Sequence, residues 1–363
     1  MFTRTQTRAL KVGSLPIGGG APVSVQSMGN VDPHDARACL AQLLSCAERG
    51  CDVFRLAVPD EEAAKVLGEV RRSSPVPIVA DVHFDYRCAL AAIANGADAL
   101  RLNPGNIGPR DRVQAVARAA KEKGVPIRVG VNLGSLERDI RADLDSGAVG
   151  VAEALVRSAL RHLGILEGEG FRDVVISAKA SDAATTIAVY RELAERTDCP
   201  LHLGVTEAGT LVPGAVRSSV ALGVLLEDGI GDTLRVSITG RPEKEVRIGL
   251  EILRALGLRP PGPAVTSCPT CGRTKVDVVR IAAEVEDALE RKFAAGSSRQ
   301  AAKCPHVAVM GCAVNGPGEA KGADIALCGG NGEFILYVKG EQVCKVRECD
   351  AVGKVLEYVD NIR

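Results

Sequence analysis

A short repeat decides the fold: residues 50–56 read GCDVFRL, residues 96–102 read GADALRL, and residues 232–236 keep its second half as DTLRV. Each copy places an arginine inside an apolar run typical of a buried parallel strand. A charge in such a strand is costly unless it is paired or faces a functional opening. Each arginine could pair with the aspartate three residues before it, or the arginines together could line a ligand site.

Strand-like and helix-like runs alternate around this repeat from residue 23 to residue 256. The predicted strands are Val23–Ser27, Val53–Val58, Pro77–His83, Ala99–Asn103, Pro126–Asn132, Val174–Lys179, Leu201–Thr206 and Thr233–Ile238. Eight strand–helix units in this length favour a (β/α)8 TIM-type barrel over residues 1–258. An open doubly wound sheet is the alternative.

A second domain is expected after the barrel. Residues 257–263, GLRPPGP, break any helix and predict a linker. The remaining residues, 264–363, are enough for a small α/β domain. Its expected elements are a helix over Lys275–Phe293, strands at Val307–Met310, Ile325–Leu327, Phe334–Val338 and Gln342–Val346, and a last helix near residues 350–359.

Composition limits the partners and the location. Lysines and arginines number 45, as do aspartates and glutamates, so no overall charge indicates nucleic acid or an anionic membrane. We expect no membrane span and no signal peptide, and therefore a cytoplasmic protein. The twelve cysteines are then thiols or metal ligands rather than disulfides. Cys39, Cys46, Cys51, Cys88 and Cys199 lie in apolar patterns and are interpreted as small buried side chains.

Polar side chains recur near the ends of the predicted strands, where barrel enzymes carry their active sites. Five of them are cations: Arg55, Arg101, Arg128, Lys179 and Arg235. The others are Asp81, His83, Asn103, Asn132, Thr206, Glu207 and Ser237. Converging cations indicate a strongly anionic substrate such as a phosphate or diphosphate. Scattered structural salt bridges are the alternative.

The cysteines of the last third have informative spacing. Cys268 and Cys271 form a C-x-x-C pair, and Cys312 precedes the glycine-rich turn that ends at Glu319. A structural zinc site could add Cys304 or Cys328 as a fourth ligand. A dithiol would need the pair alone. An iron–sulfur cluster with three cysteines would need an oxygen ligand or an open iron, and Glu319 is suitably placed. The spacing leaves these alternatives open.

Together these motifs resemble the family of bacterial 4-hydroxy-3-methylbut-2-enyl diphosphate synthases, enzymes of the methylerythritol phosphate route to isoprenoids. The resemblance covers nearly the whole chain and is specific. Its motifs are Val25–Met28, Ala80–His83, Leu201–Gly209, Asp228–Ser237, Ser267–Cys271 and Gly311–Glu319. It departs at Gly29–Val31, where the family usually has threonines after the methionine.

The resemblance implies a TIM-type barrel followed by a small iron–sulfur domain like those of sulfite and nitrite reductases. It implies a [4Fe–4S] cluster on Cys268, Cys271 and Cys312, with Glu319 as a displaceable fourth ligand. The substrate would be 2-C-methyl-D-erythritol 2,4-cyclodiphosphate, held by the cations and polar residues above, with Glu207 as an acid. Flavodoxin or ferredoxin would supply electrons, and a head-to-tail homodimer would share its active sites.

Two other functions remain as alternatives. A lyase or transferase acting on a phosphorylated sugar could carry a zinc site that does no chemistry. A non-catalytic cluster carrier would have no need of the polar barrel end.

Overall fold

The computed structural model describes residues 6–294, 304–312, 318 and 320–361. The chain divides into two compact units, Met1–Arg259 and Pro260–Arg363. Within the described ranges, no helix has the length and apolar character needed to cross a membrane.

The first unit is a barrel of parallel strands. Its described strands are the hairpin β1 (Leu10–Val12) and β2 (Leu15–Ile17), followed by β3 (Ser24–Met28), β4 (Val53–Ala57), β5 (Ile78–Asp81), β6 (Ala99–Leu102), β7 (Ile127–Asn132), β8 (Val174–Lys179), β9 (His202–Leu203) and β10 (Thr233–Leu234). The order β8-β7-β6-β5-β4-β3-β10-β9 is continuous, and a bridge between Ile176 and Leu201 joins its two ends. The sheet therefore closes on itself, which confirms the predicted TIM-type barrel.

Helices follow the strands and form the outer layer. They are α1 (Ala36–Ala47), α2 (Glu61–Ser73), α3 (Tyr86–Ala94), α4 (Arg110–Lys123), α5 (Arg138–Asp145), α6 (Val151–Gly168), α7 (Ala183–Arg196), α8 (Leu211–Glu227) and α9 (Pro242–Ala255). Aspartates at positions 35, 60, 85 and 182 cap four of them by accepting backbone N–H groups of the first turn. A large apolar core lies between the helices and the strands.

The aspartates of the repeat hold the starts of neighbouring strands. Asp52 accepts the Val25 N–H at 2.8 Å, Asp98 accepts the Ile78 N–H at 2.8 Å, and Asp232 accepts the Leu201 N–H at 2.9 Å. Each aspartate also donates its own N–H to the carbonyl of that residue at 2.9 Å. Pairing of each arginine with its own aspartate is therefore wrong, because residues three apart in a strand point to opposite faces.

The amino-terminal end of the barrel is closed by the β1–β2 hairpin. Leu10, Val12 and Ile17 pack on inward-facing residues near the strand starts, among them Val53 and Val79. This apolar cluster fills the amino-terminal end of the barrel, whereas the polar groups lie at the carboxyl-terminal end.

The second unit is a five-stranded sheet with helices on one face. Its elements are β11 (Ala264–Ser267), α10 (Val278–Ala294), β12 (His306–Met310), β13 (Ile325–Gly329), β14 (Glu333–Val338), β15 (Glu341–Arg347) and α11 (Ala351–Asn361). The strands follow chain order, with β11, β12 and β13 parallel and the last two antiparallel. The two helices bury one face of the sheet in an apolar core.

Candidate active site

Five cations point into the barrel from its strands. Arg55, Arg101, Arg128 and Lys179 lie on β4, β6, β7 and β8, and Arg235 directly follows β10. Glycines make room for two of them. A Cβ on Gly130 would collide with the Arg101 guanidinium, and one on Gly204 would lie 2.5 Å from Lys179 Nζ. Glycine is needed at both positions because the cations occupy the space that any larger side chain would fill.

Asp81 is buried at the end of β5 and contacts three positive or basic groups. Its carboxylate lies 3.8 Å from Arg55 Nε, 3.4 Å from Arg101 Nη1 and 3.4 Å from His83 Nε2. Burial alone would raise the pKa of Asp81, but Arg55, His83 and Arg101 together hold it well below its usual range. Asp81 is thus ionised and fixes both arginines.

On the other side of the barrel, Glu245 is the buried carboxylate that pairs with a cation, as Asp81 does with Arg55 and Arg101. This buried residue in the first turn of α9 accepts from Arg235 Nε at 3.2 Å and from Arg235 Nη2 at 3.1 Å. It also accepts the Ser27 hydroxyl at 2.9 Å. Glu245 therefore anchors Arg235 and joins β3 to α9.

Arg128 is the most buried of these cations. It is only 6% exposed, and its Nη1 donates to Gln26 Oε1 at 2.7 Å. Its Nε and Nη2 are buried and have no hydrogen-bond partner among the described residues. Burial, with Arg55 and Arg101 nearby, lowers the pKa of Arg128 well below its usual range. The guanidinium thus has unused donors and an unfavourable electrostatic environment.

Lys179 shares that environment. Its pKa is lowered well below the usual lysine value by burial first and then by Arg235, Arg128 and Arg55. Burial likewise lowers the pKa of Arg55 to about 10, although Asp81 opposes the shift. Among the described interior residues, two carboxylates, Asp81 and Glu245, face these five cations. The barrel interior therefore carries an excess of positive charge that an anion would relieve.

The predicted uncharged polar residues lie at the same end of the barrel. Asn103 is buried after β6, and its Oδ1 accepts the Gly130 N–H at 2.9 Å. Asn132 ends β7, whereas Thr206 and Ser237 lie beyond β9 and β10. Glu207 is exposed and has a φ of +51°, which is unusual for a residue with a side chain.

Sequence reasoning missed three interior residues. Gln26 and Glu245 hold Arg128 and Arg235, and His202 on β9 is fully buried with its Nδ1 3.3 Å from Thr233 Oγ1. Burial first, then Arg128 and Lys179, lowers the pKa of His202 well below its usual value, so the ring is neutral. A polar residue at an inward position of a strand is the signal that could have found Gln26 and His202.

The three predicted cysteine ligands lie in the second unit. Cys268 directly follows β11, and Cys312 lies two residues after the adjacent parallel strand β12. The Gly311 N–H donates to Cys268 Sγ at 3.2 Å, and Lys275 N–H donates to the Gly311 carbonyl at 3.2 Å. These bonds bring the C-x-x-C loop against the end of β12.

The thiols near the ends of β11, β12 and β13 differ in their pKa. Hydrogen bonding to Arg273, chiefly through its backbone N–H, lowers the pKa of the exposed Cys271. Burial, with Cys312 nearby, raises the pKa of Cys328 to about 11. A thiolate and an N–H donor to sulfur are both suited to an iron–sulfur cluster.

Glu319 and residues 313–317 lie outside the described residues. In the described part of the chain, no group of three His, Cys, Asp or Glu side chains could hold a single metal ion. The cysteine ligands of a cubic cluster each bind a different iron, so they lie farther apart than the ligands of one ion. Two features make these cysteines suitable for such a cluster. The Gly311 N–H donates to Cys268 Sγ, and the pKa of the Cys271 thiol is lowered.

Two family models match the chain: the GcpE TIM-barrel domain over residues 7–250 and the GcpE protein C-terminal domain over residues 264–361. A curated protein of Geobacter sulfurreducens, 4-hydroxy-3-methylbut-2-en-1-yl diphosphate synthase (flavodoxin), is 51% identical over 359 residues, 99% of this chain and 98% of that protein. The protein of the same name from Maridesulfovibrio salexigens is 52% identical over 347 residues, 96% of this chain and 94% of that protein.

A solved structure of Plasmodium falciparum HPPK-DHPS with pterin and p-hydroxybenzoate matches 69% of this chain and 49% of that chain, with a TM-score of 0.51 and 11% identity. At that identity the likeness concerns the fold alone. The family models, in contrast, match both units, and the curated relatives span both units at about half identity. On these matches, the chain belongs to the GcpE family.

Proposed function

We propose that this chain reduces 2-C-methyl-D-erythritol 2,4-cyclodiphosphate to 4-hydroxy-3-methylbut-2-enyl diphosphate. Two electrons and two protons enter, the cyclic diphosphate opens at its bond to carbon, and one hydroxyl oxygen leaves as water. The curated relatives from Geobacter sulfurreducens and Maridesulfovibrio salexigens are named as flavodoxin-dependent synthases of this product. The observation that carries the proposal is the excess of buried cations inside the barrel.

The cations would bind the diphosphate. Arg128 offers two buried donor atoms that have no partner among the residues described by the structure, and Lys179 lies in the same interior. Asp81 and Glu245 already fix Arg55, Arg101 and Arg235, so those side chains need little reorganisation when substrate binds. A bound diphosphate would stabilise all five charged forms and become oriented by them.

The polar residues beyond the strands would hold the rest of the substrate. Asn103, Asn132, Thr206 and Ser237 offer amides and hydroxyls at the carboxyl-terminal end, where the methylerythritol carbons would lie above the diphosphate. Asp81 and His83 would complete this wall. The exposed Glu207 would donate a proton to the leaving hydroxyl oxygen.

Cys268, Cys271, Cys312 and Glu319 would hold a [4Fe–4S] cluster. When bound, such a cluster supplies single electrons and an iron that acts as a Lewis acid. The chain's own part would be to keep the sulfurs ionised and in place: the Gly311 N–H bonds to Cys268, and Arg273 favours the Cys271 thiolate. Reduced flavodoxin, or ferredoxin, would be the electron donor.

Anaerobic reconstitution with iron and sulfide tests the proposal. The expected result is a brown protein with four irons per chain, an electron paramagnetic resonance spectrum that changes when cyclodiphosphate is added, and turnover with reduced flavodoxin. Cys312→Ser should lose the cluster and the activity, whereas the matched control Cys349→Ser should keep both, since Cys349 is exposed and outside the motif. Glu319→Gln should keep the cluster and turn over slowly.

A colourless protein with one tightly bound zinc would overturn the cluster assignment and favour the lyase or transferase. A cluster-loaded protein that never turns over the cyclodiphosphate would favour the cluster carrier. Full activity of Glu319→Gln would remove that carboxylate from the mechanism.

We further propose a homodimer in the cytoplasm, with active sites shared between two chains. The face of α8 supports association, because Val212, Val216 and Val220 are more than half exposed at helical spacing. A groove of about 690 Å³ between α8 and α9 adjoins this face. Sedimentation should find a dimer for the parent and a monomer for Val216→Glu. A parent that sediments as a monomer would contradict the proposal.

A further inference from the structure

A buried histidine supports the loop that carries Asn103. His162 lies on α6 and has no exposed surface. Its Nδ1 accepts the backbone N–H of Gly105 at 3.2 Å. A Cβ on Gly105 would lie 2.7 Å from His162 Cε1, so the backbone rests directly on the imidazole ring. The loop after β6 is therefore fixed by a residue from a helix that follows β7.

The hydrogen-bond pattern fixes the form of the ring. Because Nδ1 accepts an N–H, a neutral His162 carries its proton on Nε2, and that atom lies 3.6 Å from Glu137 Oε1. Both carboxylate oxygens of Glu137 are buried and lack a hydrogen-bond partner within the described ranges. Arg161 approaches Glu137 only to 3.9 Å and bonds Asp139 instead. His162 Nε2 also lacks a hydrogen-bond partner within those ranges, and at 3.6 Å it faces Glu137 by electrostatic attraction rather than by a hydrogen bond.

These contacts join two loops at the carboxyl-terminal end of the barrel. Gly105 lies two residues after Asn103, and Glu137 lies five residues after Asn132. We propose that His162, whose Nε2 faces Glu137, is a positioning residue that sets the loop after β6 so that Asn103 meets the substrate. This inference rests on the proposed function, in which Asn103 binds the cyclodiphosphate.

Protonation of His162 would break the arrangement. A proton on Nδ1 would face the Gly105 N–H, donor against donor. Burial lowers the pKa of His162, while Glu137 raises it and Arg161 lowers it. Among the described residues, these two are the charged groups that face the ring, from the start of α5 and from α6 itself. Since the folded pKa is depressed, the neutral ring predominates above the ordinary histidine value of about 6.5. The contact is lost as the pH falls below the depressed value.

Two substitutions separate positioning from simple packing. His162→Asn keeps an acceptor oxygen at the place of Nδ1 and cannot titrate, whereas His162→Leu has no acceptor. In the cluster-loaded enzyme, we expect the His162→Leu variant to have a KM for the cyclodiphosphate on the order of tenfold higher than the parent, with a smaller change in kcat. His162→Asn should restore KM to within about twofold and remove the rise of KM that we expect of the parent as the pH falls below the depressed pKa of His162.

Hydrogen exchange gives a second measurement that needs no turnover. The Gly105 amide should exchange faster in His162→Leu than in the parent, and His162→Asn should remain protected. Unchanged exchange in the Leu variant, or equal KM in all three proteins, would overturn the inference. If the parent does not turn over the cyclodiphosphate while exchange behaves as expected, the proposed function fails, and what stands is that His162 fixes the loop after β6.

Discussion

Strand starts and strand ends carry opposite kinds of polar residue in this molecule. At the starts, Asp52, Asp98 and Asp232 each bond the backbone of a neighbouring strand, and Asp324 does the same for His306 in the second unit, at 2.9 Å. At the ends of the barrel strands five cations lie together, and among the described residues two donor atoms of Arg128 have no partner; in the second unit thiols lie near the strand ends instead. The hydrogen-bonded carboxylates stabilise the fold, whereas the cations and thiols are the groups that we propose bind the substrate and the cluster.

The largest expected effect separates activity from stability. Arg128→Met should lower kcat/KM for the cyclodiphosphate by about a thousandfold, because the buried donor that we propose for the diphosphate is lost. The free energy of unfolding without substrate should stay equal or rise, because an uncompensated buried charge is removed. Steady-state kinetics and urea denaturation check both. A strongly destabilised variant would contradict the contrast between starts and ends.

Asp81 is the exception that sharpens the comparison, since it lies at a strand end but is fully paired. Asp81→Asn should lower the free energy of unfolding at about pH 7 by about 3 kcal/mol, because Arg55 and Arg101 lose their carboxylate. Because the folded pKa of Asp81 is lowered, its contribution is present above the ordinary value of about 4 and is lost as the pH falls through the folded pKa.

Urea denaturation at about pH 7 and at about pH 3 measures this dependence. The difference between parent and Asp81→Asn should shrink at the lower pH. A difference that stays constant would mean that the carboxylate's charge does not matter.

At the strand starts, Asp98→Ala should lower the free energy of unfolding of the barrel by about 2 kcal/mol, since the Ile78 N–H and Arg71 lose their acceptor. Asp324→Ala should have a similar effect on the second unit. Turnover by the folded fraction of Asp98→Ala should remain within about twofold. A lower kcat of Asp98→Ala with an unchanged free energy of unfolding would contradict the contrast between strand starts and strand ends.

The smallest effect concerns the thiols of cluster-free protein. Iodoacetamide near neutral pH should modify Cys271 well before Cys328, because Arg273 lowers the pKa of the first and burial raises that of the second. Peptide mass spectrometry over time measures the two rates. Arg273→Met should slow modification of Cys271 a few-fold at most, and leave Cys328 unchanged.

Periodicity in the sequence predicted the barrel because buried strands and amphipathic helices alternate clearly. It extended β9 and β10 too far, to Thr206 and Ile238, since Val205 and Val236 are fully buried although they lie outside the paired strands. An apolar pattern reports burial rather than hydrogen bonding. The hairpin near residues 10–17 and strand β11 were missed because short or mostly exposed strands give little apolar signal.

The candidate site was predictable only in part. In-strand arginines are conspicuous, so the five cations could be found from the sequence, and the structure brings them into one interior. The identity of their partners could not be found. Glu245 reaches Arg235 from a helix, and Gln26 reaches Arg128 across the barrel, 102 residues away in the chain. Such pairings depend on closure of the sheet rather than on local spacing.

The hairpin that closes the barrel has a kinetic consequence. Since Leu10, Val12 and Ile17 seal the amino-terminal end, substrate must enter and product must leave past the same loops. Both are diphosphates, and we propose that both bind the same cations, so one cannot enter until the other has gone. Product inhibition should therefore be competitive with the cyclodiphosphate, and a small diphosphate mimic would block the single route for both.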